Sequence, residues 1–190
     1  GLDALLVRHG QDAAATCGVG QLHPELLRYI GKMALQRTNG QQLLEHSMEV
    51  SVLMATVAGE LGLDAKVAAR IGLLHDIGKV LGVEYGLTHA LAGQKLLLRY
   101  GESEIIANGV GCHHGEIEPE TLEARLCGPC DSLSATRPGA RTDSSERHFE
   151  RIEALEKEAL GFSGVERAFV YGGGKELRVF VRPEEIDELG

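Results

Sequence analysis

The sequence has no tryptophan, and aromatic residues make up only 4% of its 190 residues. A hydrophobic core must therefore rest on Leu, Val, Ile and Ala. Four cysteines (Cys17, Cys112, Cys127 and Cys130) are too few for a disulfide scaffold at this length, which favours a reducing cytoplasmic location. No apolar run approaches the roughly 20 residues that span a bilayer, and no signal peptide is expected.

Basic residues are also in deficit, since 19 Lys and Arg stand against 28 Asp and Glu, for a formal net charge of -9. This balance argues against a general polyanion-binding surface. It leaves open a nucleic-acid substrate, because bound cations can reverse the field inside a cleft. The length and the 43% hydrophobic content suit one domain with a substantial core and a small appendage.

Apolar residues recur at helical spacing over most of the chain, which predicts a mainly α fold. Helices are expected over 25–36, 41–61, 88–100, 102–114 and 144–160, together with one capped by Asp64 and one that runs from Pro119 past Asp131 to about residue 136. After residue 163 the period changes, and two alternating runs around Gly172–Gly174 predict a β-hairpin. We expect a helical lead-in over 1–36, a main helical domain over 37–162 and a hairpin extension over 163–190.

Five of the eight histidines form one ordered set with two aspartates, and these residues are expected on five separate helices, each beside a break. Imidazole and carboxylate are ligands for borderline or hard divalent cations. Two adjacent metals suit hydrolysis of a phosphate ester. We therefore expect a metal centre built from His46, His75, Asp76, His89, His113, His114 and Asp131.

Taken singly, most of these residues have a more ordinary interpretation. His46 lies in the apolar stripe of its helix, where a lone histidine is more often a core residue bonded to a carbonyl. The pair His75-Asp76 means little alone, and His89 could be an exposed residue at a helix start. Asp131 has small and apolar neighbours, and a carboxylate there is rarely buried without a cation or strong donors.

The order of these residues resembles the HD superfamily of metal-dependent phosphohydrolases. Residues 75–79 match its His-Asp-Ile-Gly-Lys form, and the further histidines resemble the subset with two metals. Longer runs resemble the catalytic and C-terminal part of the ribonuclease Y family of bacterial endoribonucleases: 23–26, 37–41, 72–79, 113–115, 137–141 and 164–166. The membrane helix, coiled coil and RNA-binding domain that precede this region in that family have no counterpart in the 190 residues.

The resemblance implies an HD-domain helical bundle over 37–162, with two divalent ions (Mn, Fe, Zn, Ni or Mg). His46, His75, Asp76 and Asp131 would hold the first ion, Asp76 would bridge, and the other three histidines would hold the second. Asp76 and Lys79 would be catalytic, with Lys79 as a donor to a phosphoryl oxygen. Arg137 and Arg141 would bind phosphates further along the substrate. The ordinary interpretation of these three basic residues is surface charge.

The function that the resemblance implies is endonucleolytic cleavage of single-stranded RNA in mRNA decay. The alternatives are a cyclic-dinucleotide phosphodiesterase or nucleotide phosphohydrolase of the same superfamily, and a non-catalytic interaction module. The chain itself is expected to make no membrane contact, whereas full-length relatives are tethered to the inner face of the cell membrane. A homodimer is one expectation for its assembly.

Residues 127–130 read Cys-Gly-Pro-Cys, the redox tetrapeptide of thioredoxin-like proteins. Here it lies inside a predicted helix, without the strand that precedes it in those proteins. Packing of small residues in the core is the favoured interpretation over dithiol chemistry or an added metal site. Pro129 is expected to kink the helix or to restart it.

Overall fold

The computed structural model describes residues 1–38, 41–81, 87–136, 144–171 and 176–182. Within these residues the chain is mainly helical, as predicted, with two small antiparallel strand pairs. The elements are α1 (Leu2–Thr16), α2 (Pro24–Met33), β1 (Arg37–Thr38), β2 (Gln41–Gln42), α3 (Leu43–Glu60), α4 (Ala65–Leu74), a 3₁₀ turn (Ile77–Val80), α5 (His89–Arg99), α6 (Glu104–Gly111), α7 (Leu122–Thr136), α8 (Ser144–Leu160), β3 (Val165–Tyr171) and β4 (Glu176–Val181).

The chain divides into two compact units, residues 1–141 and residues 142–190. The first holds α1 to α7, with a core of aliphatic side chains that includes Leu26, Ile71 and Leu97. The second holds α8 and the β3–β4 hairpin, whose strands pair from Val165 with Val181 to Tyr171 with Glu176. The predicted domain boundaries, after residue 36 and after residue 162, differ from the boundary between these two units. Which segments fold independently stays a prediction.

Helix α4 packs directly on α3 in the centre of the first unit. A Cβ atom at Gly72 would lie 2.6 Å from the Ser51 Cα atom, so only glycine permits this approach. The Ser51 hydroxyl donates to the Ala69 carbonyl oxygen at 2.7 Å, which satisfies a polar group inside the contact. The buried face of α3 therefore includes Ser47 and Ser51, whereas Leu61, directly after the helix, is exposed.

Arg70 on α4 ties the N-terminal helices to the rest of the first unit. Its guanidinium donates to the carbonyl oxygens of Val19 and Gln21, between α1 and α2, at 2.6 and 2.9 Å. The same group makes two bonds to the Glu102 carboxylate, at 2.7 and 2.6 Å. Paired bonds of this kind hold planar groups in fixed orientation. Residues 1–36 thus pack as part of the helical core.

Several helices are shorter than predicted, for local reasons. Helix α3 begins at Leu43 because Gln41 and Gln42 pair with Thr38 and Arg37. Helix α6 ends at Gly111, and residues 112–114 form a turn that frees both histidines from the helix.

Pro129 lies inside α7, which continues through it to Thr136. Among the described residues, no helix is both long and apolar enough to cross a bilayer.

Candidate metal centre

The described members of the predicted set converge at one place in the first unit, although each lies on a different part of the chain. His46 lies in the second turn of α3, and His75 and Asp76 directly follow α4. His89 is the first residue of α5, and His113 and His114 follow α6. Asp131 lies in α7. Helix ends and helix faces from five elements therefore supply the side chains.

His75 and His113 are held by the same local device. Each follows the end of a helix, where the last carbonyl groups have no partner within the helix. The Nδ1 atom of His75 donates to the Gly72 carbonyl oxygen at 2.8 Å, and that of His113 donates to the Val110 carbonyl oxygen at 2.6 Å. With Nδ1 engaged, the Nε2 atom of each ring is the one presented to the centre.

His46 is oriented through a longer chain of contacts. Its Nδ1 atom lies 3.0 Å from the Ser134 hydroxyl, and that hydroxyl donates to the Glu49 carboxylate at 2.8 Å. Because the hydroxyl hydrogen goes to Glu49, the Ser134 oxygen is free to accept from His46 Nδ1–H. The His46 Nε2 atom then faces Asp131, at 2.9 Å from Oδ1. Sequence patterns gave no sign of Ser134 or Glu49.

Asp76 lies at the middle of the cluster, and its two carboxylate oxygens face different histidines. Oδ2 lies 3.8 Å from His46 Nε2 and 3.4 Å from His75 Nε2. Oδ1 lies 3.4 Å from His89 Nε2 and 3.9 Å from His113 Nε2. A carboxylate can bridge two cations through its two oxygens, which one imidazole cannot do.

Two groups of three side chains flank Asp76. In each group the potential ligand atoms lie within 4.8 Å of one another: His46 with His75 and Asp131, and His89 with His113 and His114. The first group is the more buried, and His114 is the exposed member of the second. Each group with one Asp76 oxygen offers four ligand atoms, a common number for a divalent transition metal.

Unpaired polar atoms at the centre fit a bound cation. His75 Nε2 and Asp76 Oδ1 are buried and make no hydrogen bond within the described part of the chain. A buried polar atom without a partner costs free energy, so such atoms are rare in folded proteins. His75 Nε2 belongs to the first group and Asp76 Oδ1 faces the second, so a divalent ion held by each group would satisfy one of these atoms.

Lys79 supplies a positive charge at the rim of the centre. Its ammonium donates to Asp76 Oδ2 at 2.6 Å, and its side chain is 27% exposed. The 3₁₀ turn that carries Lys79 packs closely on α5, since a Cβ atom at Gly78 would overlap the carbonyl oxygen of His89. Gly78 thereby brings Asp76 and Lys79 against the histidine at the start of α5.

The charges of the buried groups are strongly coupled. Burial opposes a positive charge on His75, but Asp76 and Asp131 more than offset it and raise the pKa of His75 to about 10. Burial also opposes the ionised form of Asp76, yet His75 and His89 hold its pKa well below the ordinary value. Burial, with the charge on His75, lowers the pKa of His113 to about 3. Two anionic carboxylates among imidazoles make an electrostatic environment suited to cations.

The remaining predicted residues divide into two cases. Arg137 and Arg141 lie outside the described residues, as do Asn39, Gly40 and the glycines of the hairpin turn.

Cys127 and Cys130 are free and buried, and Cys127 belongs to the hydrophobic core. Burial, reinforced by Asp131, raises the pKa of the Cys127 thiol well above its ordinary value. A protonated core thiol supports the packing interpretation of the pair.

Comparison with known proteins finds relatives of the segment that carries these residues. The family model described as HD domain matches residues 43–136, the segment from α3 to α7. Over 183 residues, 96% of the chain, the sequence is 45% identical to ribonuclease Y of Protochlamydia amoebophila. It is 42% identical over 181 residues to ribonuclease Y of Clostridium perfringens, and 45% identical over 180 residues to that of Syntrophomonas wolfei. No solved structure matches the chain.

Each of these alignments covers 95–96% of the chain but only 35% of the relative, so the chain spans about a third of the length of the curated relatives it matches. The matched family segment begins at the first residue of α3 and ends at the last residue of α7. It therefore contains every residue of the centre described above. Residues 43–136 belong to the HD domain family, and the chain is similar over nearly its whole length to one part of ribonuclease Y.

Proposed function

We propose that this chain hydrolyses phosphodiester bonds in single-stranded RNA with the help of two divalent metal ions bound on either side of Asp76. The observation that carries the proposal is the position of the Asp76 carboxylate, whose oxygens face two separate groups of histidines at 3.4 to 3.9 Å. The name of the relatives supports RNA as the substrate.

In this proposal His46, His75, Asp76 and Asp131 would hold one ion, and Asp76, His89, His113 and His114 would hold the other. When bound, such ions activate water near neutral pH and neutralise charge on the phosphoryl oxygens. Mixed imidazole and carboxylate ligands accept Mn²⁺, Fe²⁺, Zn²⁺ or Ni²⁺, with Mg²⁺ favoured by oxygen ligands.

The chain's own residues bind and orient the substrate. Lys79 donates to a non-bridging phosphoryl oxygen, and its partly exposed ammonium is already within 2.6 Å of Asp76. His75 and Asp76 are almost fully buried, so a phosphate must approach a recessed centre. A flexible single strand can bend into such a recess, whereas a duplex presents its backbone on a rigid cylinder.

Arg137 and Arg141 complete the proposal as phosphate-binding residues further along the strand. They follow α7, the helix that carries Asp131. The cytoplasmic location, the tether of the whole protein to a membrane and the homodimer stay predictions.

The proposed substrate is tested by incubating the protein with Mn²⁺ and, in separate reactions, single-stranded RNA, duplex RNA, a cyclic dinucleotide and mononucleotides. We expect cleavage within the single strand, with little cleavage of the duplex. Asp76→Asn, which preserves shape but removes the charge, should be inactive on every substrate. Hydrolysis of the cyclic dinucleotide alone would assign the chain to the alternative phosphodiesterase class, and activity in Asp76→Asn would refute the metal mechanism.

A further inference from the structure

A cavity of about 660 Å³ lies beside the metal centre, between α2, the 3₁₀ turn and α5. Its floor is apolar and includes Val80, Ala92 and Leu96. Three cations, Lys32, Lys95 and Arg99, line it, and its described lining contains no carboxylate. The chain as a whole carries a formal net charge of -9, so a cavity whose described charged side chains are all basic departs from the overall balance.

The cavity is built from the same two elements that form one side of the metal centre. Val80 directly follows Lys79, which contacts Asp76, and Ala92 lies one helical turn beyond His89. The 3₁₀ turn and α5 meet at Gly78 and Gly93 with almost no space between their backbones. The cavity and the centre are therefore held in fixed relation by one contact.

The residues of α5 that line the cavity lie on a face of the helix next to the one that carries His89. At about 100° per residue, Ala92, Lys95 and Arg99 all lie about 60° to 120° to the same side of His89. At about 1.5 Å per residue, Arg99 lies about 15 Å from His89 along the helix. A ligand that follows this face meets the Lys95 ammonium and then the Arg99 guanidinium as it leaves the centre.

Lys32 faces these two cations from α2 across the cavity. Its ammonium lies 4.9 Å from the centre of the Tyr29 ring, a cation–π contact that orients the charge without neutralising it. Tyr29 lines the same cavity. Cations on both walls suit a chain of phosphates that passes between them.

We propose that this basic groove, lined by Lys32, Lys95 and Arg99, binds the phosphate backbone of the single-stranded nucleic acid whose scissile bond lies at the metal centre. The inference rests on the proposed function, which it extends by assigning a path for the strand. The groove's charge complements a polyanion, and its position on the same 3₁₀ turn and helix as Lys79 and His89 favours the substrate itself over an acidic segment of another protein.

The test is a double variant, Lys95→Gln with Arg99→Gln, in the 190-residue chain. The control is Lys66→Gln with Arg8→Gln, which removes the same two charges from exposed positions outside the groove. Binding of a fluorescein-labelled oligouridylate is measured by anisotropy in EDTA, where no metal-dependent cleavage takes place. Metal content and circular dichroism are compared to establish that both variants are folded.

We expect the groove variant to bind the oligouridylate about tenfold more weakly and the control to bind like the wild type. The slope of log K against log salt concentration should fall in magnitude by about 0.7 for each phosphate that the protein no longer neutralises, hence by about 1.4 in the groove variant. Equal weakening in both variants, an unchanged affinity in the groove variant, or no binding by the wild type would overturn the groove. If the groove instead binds an acidic protein partner, the groove variant should bind the oligouridylate as tightly as the wild type does. That is the second of these results.

Failure of the proposed function has a different outcome in these experiments. If the wild type binds the oligouridylate through the groove but cleaves no RNA when Mn²⁺ is supplied, the groove stands and the nuclease activity does not. If it cleaves RNA while the groove variant binds normally, the activity stands and the groove does not.

Discussion

His46, His75 and His113 each present Nε2 to the centre because a specific acceptor engages Nδ1. For His75 and His113 that acceptor is a carbonyl oxygen three residues earlier, so their orientation is encoded locally. For His46 the acceptor is the Ser134 hydroxyl, which is held by Glu49. The orientation of His46 therefore depends on α7, 88 positions further along the chain.

This dependence gives a prediction for Ser134. Replacing it with alanine leaves the Nδ1 atom of His46 without its partner, which frees the ring to rotate. Loss of such an outer partner costs about 10- to 100-fold in metal affinity. We expect Ser134→Ala to show this loss in a competition assay with a chelating dye. Ser132→Ala, at an exposed position of the same helix, is the matched control, and an equal affinity in the two variants would exclude the role of Ser134.

A second prediction concerns pH and the protein stripped of metal with a chelator. The folded-state pKa of His75 is raised to about 10 from an ordinary value of 6.5. Its contribution to stability is therefore complete below about pH 6.5 and is lost as the pH rises towards 10. We expect urea unfolding to show decreasing stability from pH 6.5 to 9.5. A stability that stays level over this range would show that His75 is neutral among these carboxylates, because neither the folded nor the unfolded state would then lose a proton from it.

Metal should reverse this trend, because a cation must displace the proton from His75 before it can bind Nε2. Uptake of metal near neutral pH should release protons, and apparent metal affinity should rise with pH. Calorimetric titrations in two buffers of different ionisation enthalpy measure the number of protons released. Zero protons at pH 7 would contradict the ion pair between His75 and the carboxylates.

At the scale of elements, the contact between the 3₁₀ turn and α5 joins the two halves of the centre. A Cβ atom at Gly78 would overlap the His89 carbonyl oxygen, so the turn and α5 must separate in Gly78→Ala. Overpacking of this kind costs about 1–3 kcal/mol. Separation should also move Asp76 away from His89 and lower the number of metal ions bound.

Gly59 on α3 is the matched control for Gly78, because nothing lies within 4 Å of the position of its Cβ atom. Gly59→Ala should stabilise the protein by about 0.5–1 kcal/mol, since alanine loses less conformational entropy in a helix. Thermal unfolding and elemental analysis of both variants check the pair. A Gly78→Ala protein with wild-type stability and metal content would show that the contact is dispensable.

Sequence patterns predicted the helical fold, the hairpin and the cluster of histidines and aspartates, because each of these depends on residue type and local period. They did not predict the buried serines of α3, since Ser51 is buried only because the Ala69 carbonyl lies opposite it. They also missed Ser134, which looks like one more small residue on α7. Both depend on contacts between helices, which hydrophobic periodicity does not encode.

At the scale of the whole molecule, all described residues of the centre and of the basic groove lie in the first unit, residues 1–141. A chain that ends after residue 141 should therefore keep its metal content. Removal of α8 and the hairpin should leave oligouridylate binding within about threefold, or about 0.6 kcal/mol. Elemental analysis and anisotropy check this, and loss of metal from a folded truncated chain would show that the second unit helps to form the centre.

The measurement that tests the central claim most directly is the number of metal ions bound by the purified chain after loading with Mn²⁺ and removal of excess. We expect about two ions for each chain, the number that two ligand groups and one bridging carboxylate imply. Asp76→Asn should lose both, whereas His9→Ala, at an exposed histidine on α1, should keep both. Fewer than one ion in the wild type, or two ions in Asp76→Asn, would contradict a metal pair bridged by Asp76.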